Sequence, residues 1–411
     1  MAKITIVGAG QSGLLLGCAL ADKGYDVSIV SNRDGKQIRD GKVMSSQCIF
    51  GDALDIEKDL GLNLWDNLAP RIDGFGISVT NPEVPGERIV DWMATLDKPA
   101  QSVDQRVKMP VWIDEFEKRG GEFILQDVGI PELEKLCETS DLVILSAGKG
   151  EIVKLFERDP VRSAFDRPQR AIALTYHRGS PQPDHIPAVT WARAPGVGEY
   201  VSFPGYTVDG PCEIVSWFGV VGGPMDCWDF SDSPEQHMQK VHGILDKYFP
   251  WEGKRCQSAE LTDANGYLSG AITPMVRKPI LKLPSGARVL GLGDAVAVND
   301  PITGQGSNNA TKAAAIYLDE ILANTEGDFS EAWMNQVFER FWSYACDVID
   351  FTASILRPPE PHLLTLLGAA GSSKVLATDI VNGFNHPPAL MPWFLDPKAC
   401  EQKIAETAVA A

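Results

Sequence analysis

The segment KITIVGAGQSGLLLG, residues 3 to 17, constrains the fold more than any other part of the chain. A β-branched strand runs straight into a glycine-rich turn and an apolar helix, which predicts a β-α-β unit. In such a turn Gly8 permits the tight bend, Gly10 lets the backbone approach a pyrophosphate, and Gly13 allows close packing of helix on strand. The helix N-terminus then stabilises the negative charge. We therefore predict a dinucleotide site with these residues: Gly8, Gly10, Gln11, Ser12 and Gly13.

The next predicted strand, YDVSIVS, lacks the acid that usually binds the ribose of the adenosine half. An Asp or Glu is expected about 20 residues after the glycines. This chain has Ser31 at that point, with Asp34 following it in the loop. We therefore expect the adenosine half to be bound weakly.

A second motif, VLGLGDAVAVNDPITGQGSNNATKAA, occupies residues 289 to 314. An apolar strand ends at Asp294, and a Gly-Gln-Gly triplet after a proline-bearing loop opens a helix. Unpaired amides at a helix start stabilise negative charge. On its own the pattern also fits a capping Asp beside a glycine loop.

This second motif resembles the second FAD fingerprint of the flavoprotein hydroxylase superfamily. The resemblance implies that the carboxylate of Asp294 holds the ribityl hydroxyls of FAD. It also implies that the amides of the helix start face the pyrimidine edge of the flavin, in a cofactor set that includes Gly304, Gln305, Gly306 and Asn308. Arg106, at the start of the helix DQRVKMPVWIDEF, matches the superfamily arginine that meets the cofactor diphosphate. A solvated arginine at a helix start is the alternative.

The remaining pattern predicts an α/β fold in which a Rossmann-like FAD-binding domain is interleaved with an antiparallel-sheet substrate domain. The segments AIALTYH, VTWARA, GEYVSFP and EIVSWFGVV are separated by Gly- and Pro-bearing turns, which favours an antiparallel sheet. We predict an FAD-binding domain from residues 1–160 and 280–330, with part of 45–105 on the substrate side. Residues 161–279 form the substrate sheet, and residues 331–411 form C-terminal helices.

Composition narrows the possible partners. The chain has 37 basic and 55 acidic residues, a net charge of −18, which disfavours nucleic acid and anionic membrane as partners. Its eight cysteines include no Cys-x-x-Cys pair and its histidines lack metal-ligand spacing, so we expect reduced thiols and no metal. No apolar run approaches the roughly 20 residues of a membrane span. Since MAKITIVGAG also lacks a leader pattern, we expect a cytoplasmic protein.

The middle of the chain lacks a feature that bears on the electron source. Superfamily members that use their own NAD(P)H carry a central Asp-Gly fingerprint, and the corresponding stretch here, LCETSDLVILSAGKG, contains no Asp-Gly. The Asp209-Gly210 pair lies among the aromatic segments instead. The flavin is therefore expected to arrive already reduced, from a separate NADH-dependent flavin reductase.

Taken together, the motifs resemble those of the FAD-dependent styrene and indole monooxygenases, the epoxidase components of two-component systems. The resemblance runs nearly end to end, through IVGAGQSGLLLG, SVDQR…EKRGGEF, VILSAGKG, FDRPQRA, GLGD…DPITGQGSN and NGFNHP. Styrene-type members show Asn, Val and His where this chain has Ser45, Gln47 and Ile49. Ile72 and Ala100 replace a Tyr and a Ser, which is closer to the indole-oxidising members. Neutral loop or core residues are the alternative reading.

The resemblance implies that reduced FAD and O2 form a C4a-hydroperoxyflavin, which epoxidises the C2=C3 bond of indole, leading to indigo, or the vinyl group of a styrene-type arene. The protein then has to exclude water and orient the alkene. We expect Pro301 to cover the flavin, and Ser46 and Gln47 to hydrogen-bond the flavin or the indole N–H. The aromatic segments are expected to supply pocket walls, although such residues are more often plain core: Trp191, Phe203 and Trp217.

Other classes stay open from the sequence. One is a self-sufficient NAD(P)H-dependent aromatic hydroxylase, and another is a non-catalytic relative that keeps the fold to bind a partner. A flavin halogenase is disfavoured because the chain has no G-x-W-x-W-x-I-P stretch. A homodimer is compatible with the sequence.

Overall fold

The computed structural model of the chain describes residues 2–84, 86–148, 150–181, 183 and 185–409. Its strands are β1 Lys3–Val7, β2 Asp26–Ser31, β3 Arg71–Thr80, β4 Arg88–Gln101, β5 Glu122–Leu125, β6 Leu142–Leu145, β7 Arg170–Arg178, β8 Ala188–Ala194, β9 Gly198–Thr207, β10 Gly210–Val220, β11 Glu260–Leu261, β12 Tyr267–Ala271, β13 Met275–Val276, β14 Ile280–Lys282, β15 Arg288–Gly291 and β16 Ala297–Val298. Its α-helices are α1 Gln11–Asp22, α2 Gly35–Arg39, α3 Gly51–Asp59, α4 Gln105–Lys118, α5 Ile130–Thr139, α6 Pro234–Tyr248, α7 Pro250–Arg255, α8 Gln305–Ala323, α9 Glu331–Leu356, α10 Pro361–Ala370, α11 Lys374–Asn382, α12 Pro387–Phe394 and α13 Pro397–Val409.

The first sheet has six strands in the order β14-β15-β6-β1-β2-β5. Strand β1 lies between β2 and β6 and is parallel to both. Ile4 and Ile6 of β1 are fully buried, as expected of a parallel strand covered on both faces. Helix α1 lies close to the sheet because Gly17 has no side chain: a Cβ there would lie 2.6 Å from Cδ1 of Ile29. The predicted β-α-β unit is present.

The second sheet has eight strands and is mainly antiparallel. Its order is β11-β7-β10-β9-β8-β3-β4, and β12 also pairs with β7. The predicted antiparallel pairing of residues 170–220 is confirmed in β7 to β10, whereas β3 is parallel to β8. Strands β3 and β4 precede β5 and β6 in the chain, so the two sheets are interleaved in sequence. The predicted fold class is therefore confirmed.

The two faces of the second sheet carry different apolar clusters, because successive side chains in a strand point to opposite faces. One face contributes Phe75, Trp191, Phe203 and Phe218 to a cluster shared with the C-terminal helices. The opposite face contributes Trp217 and others to a cluster that includes residues of α6 and α7. The side facing the C-terminal helices holds the candidate site.

The last five helices form the predicted C-terminal helical segment. Helix α9 packs on α8, and α11 packs on the edge strand β4. Within the described part of the chain, no single helix is long and apolar enough to cross a membrane. Helices α10 and α11 together meet the length and composition test, but they are bent by 120° where they join.

Candidate functional site

The two glycine motifs, far apart in sequence, meet at one edge of the first sheet. Strands β1, β6 and β15 are parallel neighbours, so their carboxyl ends lie side by side. Ser146, just after β6, donates from Oγ to the carbonyl oxygen of Gly8 across 2.8 Å. A Cβ on Gly293, just after β15, would lie 2.7 Å from Oγ of Ser12. The first and second motifs therefore share one crevice at a position where α/β sheets bind ligands.

The three glycines of the first motif have different surroundings. Gly8 has φ +119°, a backbone conformation that side chains disfavour. A Cβ on Gly13 would lie 2.1 Å from the carbonyl oxygen of Gly8, so only glycine fits. A Cβ on Gly10 would meet nothing within 4 Å. Gly10 therefore opens the backbone to a ligand, while the other two glycines shape the turn.

The expected ribityl-binding acid, Asp294, is exposed at the end of β15. It lies beside Gly148, where a Cβ would come within 2.6 Å of the Asp294 Cβ. Arg277 donates from Nη1 to the carbonyl oxygen of Asp294 across 3.0 Å and so holds the backbone of this turn. The sequence analysis did not propose Gly148 or Arg277 as site residues. The small residues that follow β6 were the signal that could have pointed to Gly148.

The start of α8 is open to a ligand. Gly304 is left-handed with φ +67°, no side chain in the described part of the chain caps the helix, and its first turn has no acidic residue. The preceding three-ten turn, Pro301–Thr303, is capped by Asp300, whose Oδ1 accepts from the amide of Ile302 across 3.1 Å. A Cβ on Gly306 would meet nothing within 4 Å. The unpaired amides of the first helical turn are thus available to a negatively charged group.

The side chains of Gln305 and Asn308, two residues of the predicted cofactor set, bind the protein's own backbone. Gln305 is fully buried and donates from Nε2 to the carbonyl oxygen of Phe384 across 2.7 Å. Asn308 accepts from the amide of Phe50 at 2.8 Å and donates to the carbonyl oxygen of Cys48 at 2.8 Å. These side-chain amides hold two loops against α8, which leaves the backbone amides of the helix start for a cofactor, as the resemblance implies.

Gln11 of the first motif belongs to a buried polar network. Its Nε2 donates to Oε1 of Glu57 at 2.6 Å and to the hydroxyl of Thr311 at 2.9 Å. The same Glu57 oxygen accepts from Lys108 at 2.6 Å, and both charged side chains are almost completely buried. Helices α1, α3, α4 and α8 are joined through this network.

The structure also corrects the prediction for Arg106. Its guanidinium is 1 % exposed and forms ion pairs with Asp104 at 2.8 Å and with Asp263 at 2.9 Å. Nη2 also donates to the hydroxyl of Thr207 at 3.1 Å. Because two carboxylates of this chain already neutralise it, Arg106 is a structural residue and not a diphosphate ligand.

An aromatic chamber lies between the second sheet and the loop that opens α8. Its free space is about 20 Å³, which is room for about one water molecule. The lining is mostly apolar, and its described members include no acid, histidine, lysine or arginine. The lining residues are Ser46, Cys48, Phe50, Phe75, Val189, Trp191, Val201, Phe203, Ser216, Phe218, Pro301, Ile302, Thr303, Gly304 and Phe384.

Several predicted site residues meet at this chamber. Trp191, Phe203, Pro301 and Ser46 all line it, and Ser46 accepts a hydrogen bond from Ser216 across 3.1 Å. Cys48 lines it as well, and burial raises the pKa of its thiol to about 12, so the thiol stays protonated. Sequence reasoning missed Ser216, Phe75 and Phe384.

Other predicted pocket residues lie elsewhere. Trp217 is on the opposite face of β10 from Phe218, where it packs against Tyr200 at 5.1 Å between ring centroids. Its assignment to the pocket is wrong, because the strand's alternation turns it toward α6. Ile72 and Ala100 pair across β3 and β4 in the same apolar cluster as the chamber but outside its lining.

The loop before α3 places its remaining predicted residues around the chamber, not in its wall. The hydroxyl of Ser45 accepts from Gln105 at 2.9 Å, and Ile49 forms a bridge to Gln101. Gln47 is fully buried, and neither atom of its side-chain amide has a hydrogen-bond partner among the described residues. A buried amide left unpaired costs free energy, so Gln47 is suited to a polar ligand.

One group of potential metal ligands lies away from this site. Ligand atoms of His177, Glu213 and Cys256 lie within 4.8 Å of one another. Burial alone would raise the pKa of Glu213, but hydrogen bonds from His177 and Arg255 outweigh it and lower the pKa to about 2. Since the guanidinium of Arg255 already holds this carboxylate at 2.8 Å, we interpret the group as an ion-pair cluster.

The residues present fit a flavin dinucleotide. Gly10 and Gly306 leave the starts of α1 and α8 open to a ligand. Asp294 is exposed just after β15, and the buried amide of Gln47 has no partner among the described residues. An anionic diphosphate suits the start of α1, and a reduced isoalloxazine suits the start of α8.

Comparisons with known proteins identify sequences similar to this chain. Residues 148–255 match the family model "Styrene monooxygenase A putative substrate binding domain". A styrene monooxygenase StyA from Pseudomonas fluorescens is 29% identical over 408 residues, covering 97% of both chains. This similarity indicates a flavin-dependent monooxygenase.

Solved structures show the fold. The flavin-dependent brominase Bmp2 superposes with a TM-score of 0.69 at 15% identity over 100% of both chains. A flavoprotein/dehydrogenase from Cytophaga hutchinsonii gives a TM-score of 0.67 at 13% identity, covering 100% of this chain and 99% of its own. The chain thus has the fold of the flavoprotein hydroxylases and halogenases, and along nearly its whole length its sequence is similar to the styrene monooxygenases.

Proposed function

We propose that this chain is the oxygenase of a two-component system, using FAD delivered in reduced form together with O2 to epoxidise small aromatic alkenes. The proposed substrates are indole, at its C2=C3 bond, and styrene-type vinyl arenes. The proposed partner is a separate NADH-dependent flavin reductase. The similarity to styrene monooxygenases along 97% of the chain supports the vinyl arene as a substrate.

One observation carries the proposal. The loop Pro301–Gly304, which leads into the proposed flavin helix, forms one wall of the chamber, and the aromatic sheet forms another. A flat apolar guest held there would lie between the aromatic rings and the start of α8. Sheet and loop would thus bring an apolar substrate and a flavin to the same place.

The chemistry asked of the chain's own residues is modest. When bound, reduced FAD would supply the activation of O2. The aromatic rings of the sheet would exclude water and hold the flat arene between them: Phe75, Trp191, Phe203 and Phe218. The lining supplies hydroxyl and thiol groups as its polar side chains, and burial keeps Cys48 neutral, so the wall offers no strong base to a reactive oxidant or product.

Binding of FAD would rest on the two helix starts and Asp294. The backbone at Gly10 would approach the diphosphate, the amides of Gln305 and Gly306 would face the flavin, and Asp294 would bind ribityl hydroxyls. Gln47 would donate to or accept from the isoalloxazine, or accept from the substrate N–H, which would satisfy an amide otherwise unpaired among the described residues.

The test supplies purified protein with chemically reduced FAD in air, with either indole or styrene, and with catalase to remove free peroxide. We expect indigo from indole and styrene oxide from styrene, and a marked loss of both in Asp294→Asn. Product from neither substrate would overturn the proposal. Product from one alone would fix the substrate preference, which the replacement of Asn, Val and His by Ser45, Gln47 and Ile49 is proposed to shift toward indole.

The self-sufficient hydroxylase is the competing proposal, and a second experiment separates the two. Protein loaded with oxidised FAD is mixed with NADH without oxygen, and the flavin absorbance is followed. We expect no bleaching until a flavin reductase is added. Bleaching by NADH with this chain alone would favour the self-sufficient enzyme.

A further inference from the structure

Phe384 reaches the chamber from an unexpected part of the chain. It lies in the turn between α11 and α12, far along the chain from the loop Pro301–Gly304, and is 7 % exposed. Its ring centroid lies 4.3 Å from that of Phe75 and 5.0 Å from that of Phe351. The ring thus fills space between the sheet and α9.

The backbone around Phe384 is fixed from several sides. Gln305 of α8 donates to the Phe384 carbonyl oxygen, and Lys312, two turns along the same helix, donates to that of Asn385 at 2.9 Å. The side-chain oxygen of Asn385 accepts from the amide of Asp52 at 2.8 Å, and that of Asn382 accepts from the amide of Asp97 at 2.9 Å. The main chain of this turn is therefore held, and the ring's own torsions are the freedom that remains.

The chamber is too small as it stands for any arene, since about 20 Å³ holds about one water molecule. A wall side chain has to move before a substrate can enter. Phe75, Trp191, Phe203 and Phe218 stand on strands within the hydrogen-bonded second sheet. Phe50 and Phe384 are the aromatic lining residues that lie off this sheet, and Phe384 is 7 % exposed against 2 % for Phe50, so its ring has the readier path to turn toward solvent by a change of rotamer.

We propose that Phe384 is the specificity-determining wall of the chamber: its ring occupies the place that a substrate takes, swings aside on binding, and limits the size of arene admitted. This inference rests on the proposed function and deepens it, since it states which arenes are accepted. Single-ring arenes and fused bicyclic arenes of indole size fit once the Phe384 ring is displaced. Larger arenes would contact the main chain of the turn, which is held by its hydrogen bonds.

The test measures arene binding to the full-length protein without flavin, by equilibrium dialysis of styrene and of 2-vinylnaphthalene. Phe384→Ala and Phe384→Leu are expected to raise the affinity for 2-vinylnaphthalene relative to styrene by about tenfold, which is the discrimination available from one or two lost apolar contacts. Phe384→Trp is expected to shift the ratio the other way. Phe394→Leu is the matched control, since Phe394 also contacts Phe351 but does not line the chamber.

An affinity ratio that stays at the wild-type value in Phe384→Ala and in Phe384→Trp would overturn the proposal. If the alanine variant does not fold, as judged by circular dichroism, the leucine and tryptophan variants carry the test. The same variants given reduced FAD and an equal mixture of the two arenes should change the product ratio in parallel. Because binding is measured without flavin, failure of the epoxidase proposal leaves the size-selection result readable by itself.

Discussion

Gln11 and Glu57 are joined by a hydrogen bond of 2.6 Å between Nε2 and Oε1 in a region closed to solvent, and the same carboxylate oxygen accepts from Lys108. Gln11 is the first residue of α1, the helix whose start is proposed to bind the diphosphate. The position of that helix is therefore linked to a buried ion pair on α3 and α4.

Replacing Lys108 by Met should destabilise the protein strongly, because Glu57 would be left as a buried charge without its cation. We expect a loss of about 3–5 kcal/mol in the free energy of unfolding, measured by urea titration. The double variant Lys108→Met/Glu57→Gln should regain most of this, since the amide oxygen still accepts from Gln11. Lys118→Met, at an exposed ion pair, serves as control and should change stability by less than about 1 kcal/mol. A single variant as stable as the control would contradict the assignment.

Gly10 and Gly13 should respond in opposite ways to substitution by alanine. Gly10→Ala meets no protein atom within 4 Å, so we expect unfolding stability within about 1 kcal/mol of wild type but FAD affinity reduced by about tenfold or more. Gly13→Ala would place Cβ 2.1 Å from the Gly8 carbonyl oxygen, so we expect destabilisation by about 1–3 kcal/mol or more. Thermal unfolding and flavin fluorescence titration measure the two effects. Undiminished FAD binding in Gly10→Ala would remove the diphosphate from this turn.

Two tryptophans on opposite faces of the second sheet allow a test of which face holds the substrate. Trp191→Phe enlarges the chamber and should change the dissociation constant for styrene. Trp217→Phe loosens the cluster beneath α6 and should lower stability by about 0.5–3 kcal/mol while leaving styrene affinity unchanged. Dialysis and urea unfolding of both variants are compared with wild type. An altered styrene affinity in Trp217→Phe alone would place the substrate on the other face.

Asp300 gives the stability a pH dependence. Burial raises the pKa of its carboxyl from 3.8 to about 7, outweighing the opposing effects of the Ile302 amide and Arg170. The folded state keeps the proton between those values and the unfolded state releases it, so stability falls as the pH rises from about 4 to about 7. The full loss, present above pH 7, amounts to up to about 4 kcal/mol.

The isosteric variant Asp300→Asn should remove this dependence. At pH 8 we expect it to be more stable than wild type, and at pH 4 we expect the two to be equal in urea unfolding. Asp127→Asn, at an exposed carboxyl, controls for the general change in charge. If the difference in free energy of unfolding between wild type and variant stays constant from pH 4 to pH 8, Asp300 is ionised throughout that range.

What the sequence predicted well is local. The strand, the glycine turn and α1 are contiguous, and the requirement for glycine at positions 8 and 13 comes from contacts within that short segment and with the end of β6. The start of α8 is likewise encoded by adjacent residues, with Gly304 in the left-handed conformation. Such features depend little on how distant segments pack.

What the sequence could not provide depends on distant partners. Side chains along a strand alternate between its two faces, so the sequence predicts that Trp217 and Phe218 point in opposite directions. Which face meets the C-terminal helices is decided by tertiary packing. Arg106 looked free because Asp263 is 157 residues away in the chain. Phe384 gave no signal, since a phenylalanine between two helices has the same local pattern whether it fills a chamber or an ordinary core.

The ion pairs of Arg106 have a mechanical consequence. Arg106 lies on α4, which packs on α1 beside the first sheet. Its partners Thr207 and Asp263 lie at or just after the ends of β9 and β11, two strands of the second sheet. Separating the two sheets would remove Asp263 and Thr207 from a buried cation and leave it with Asp104, the N-cap residue of its own helix. We therefore expect the two sheets to stay rigid relative to each other. Cofactor and substrate would then enter and leave through small movements of loops and aromatic rings.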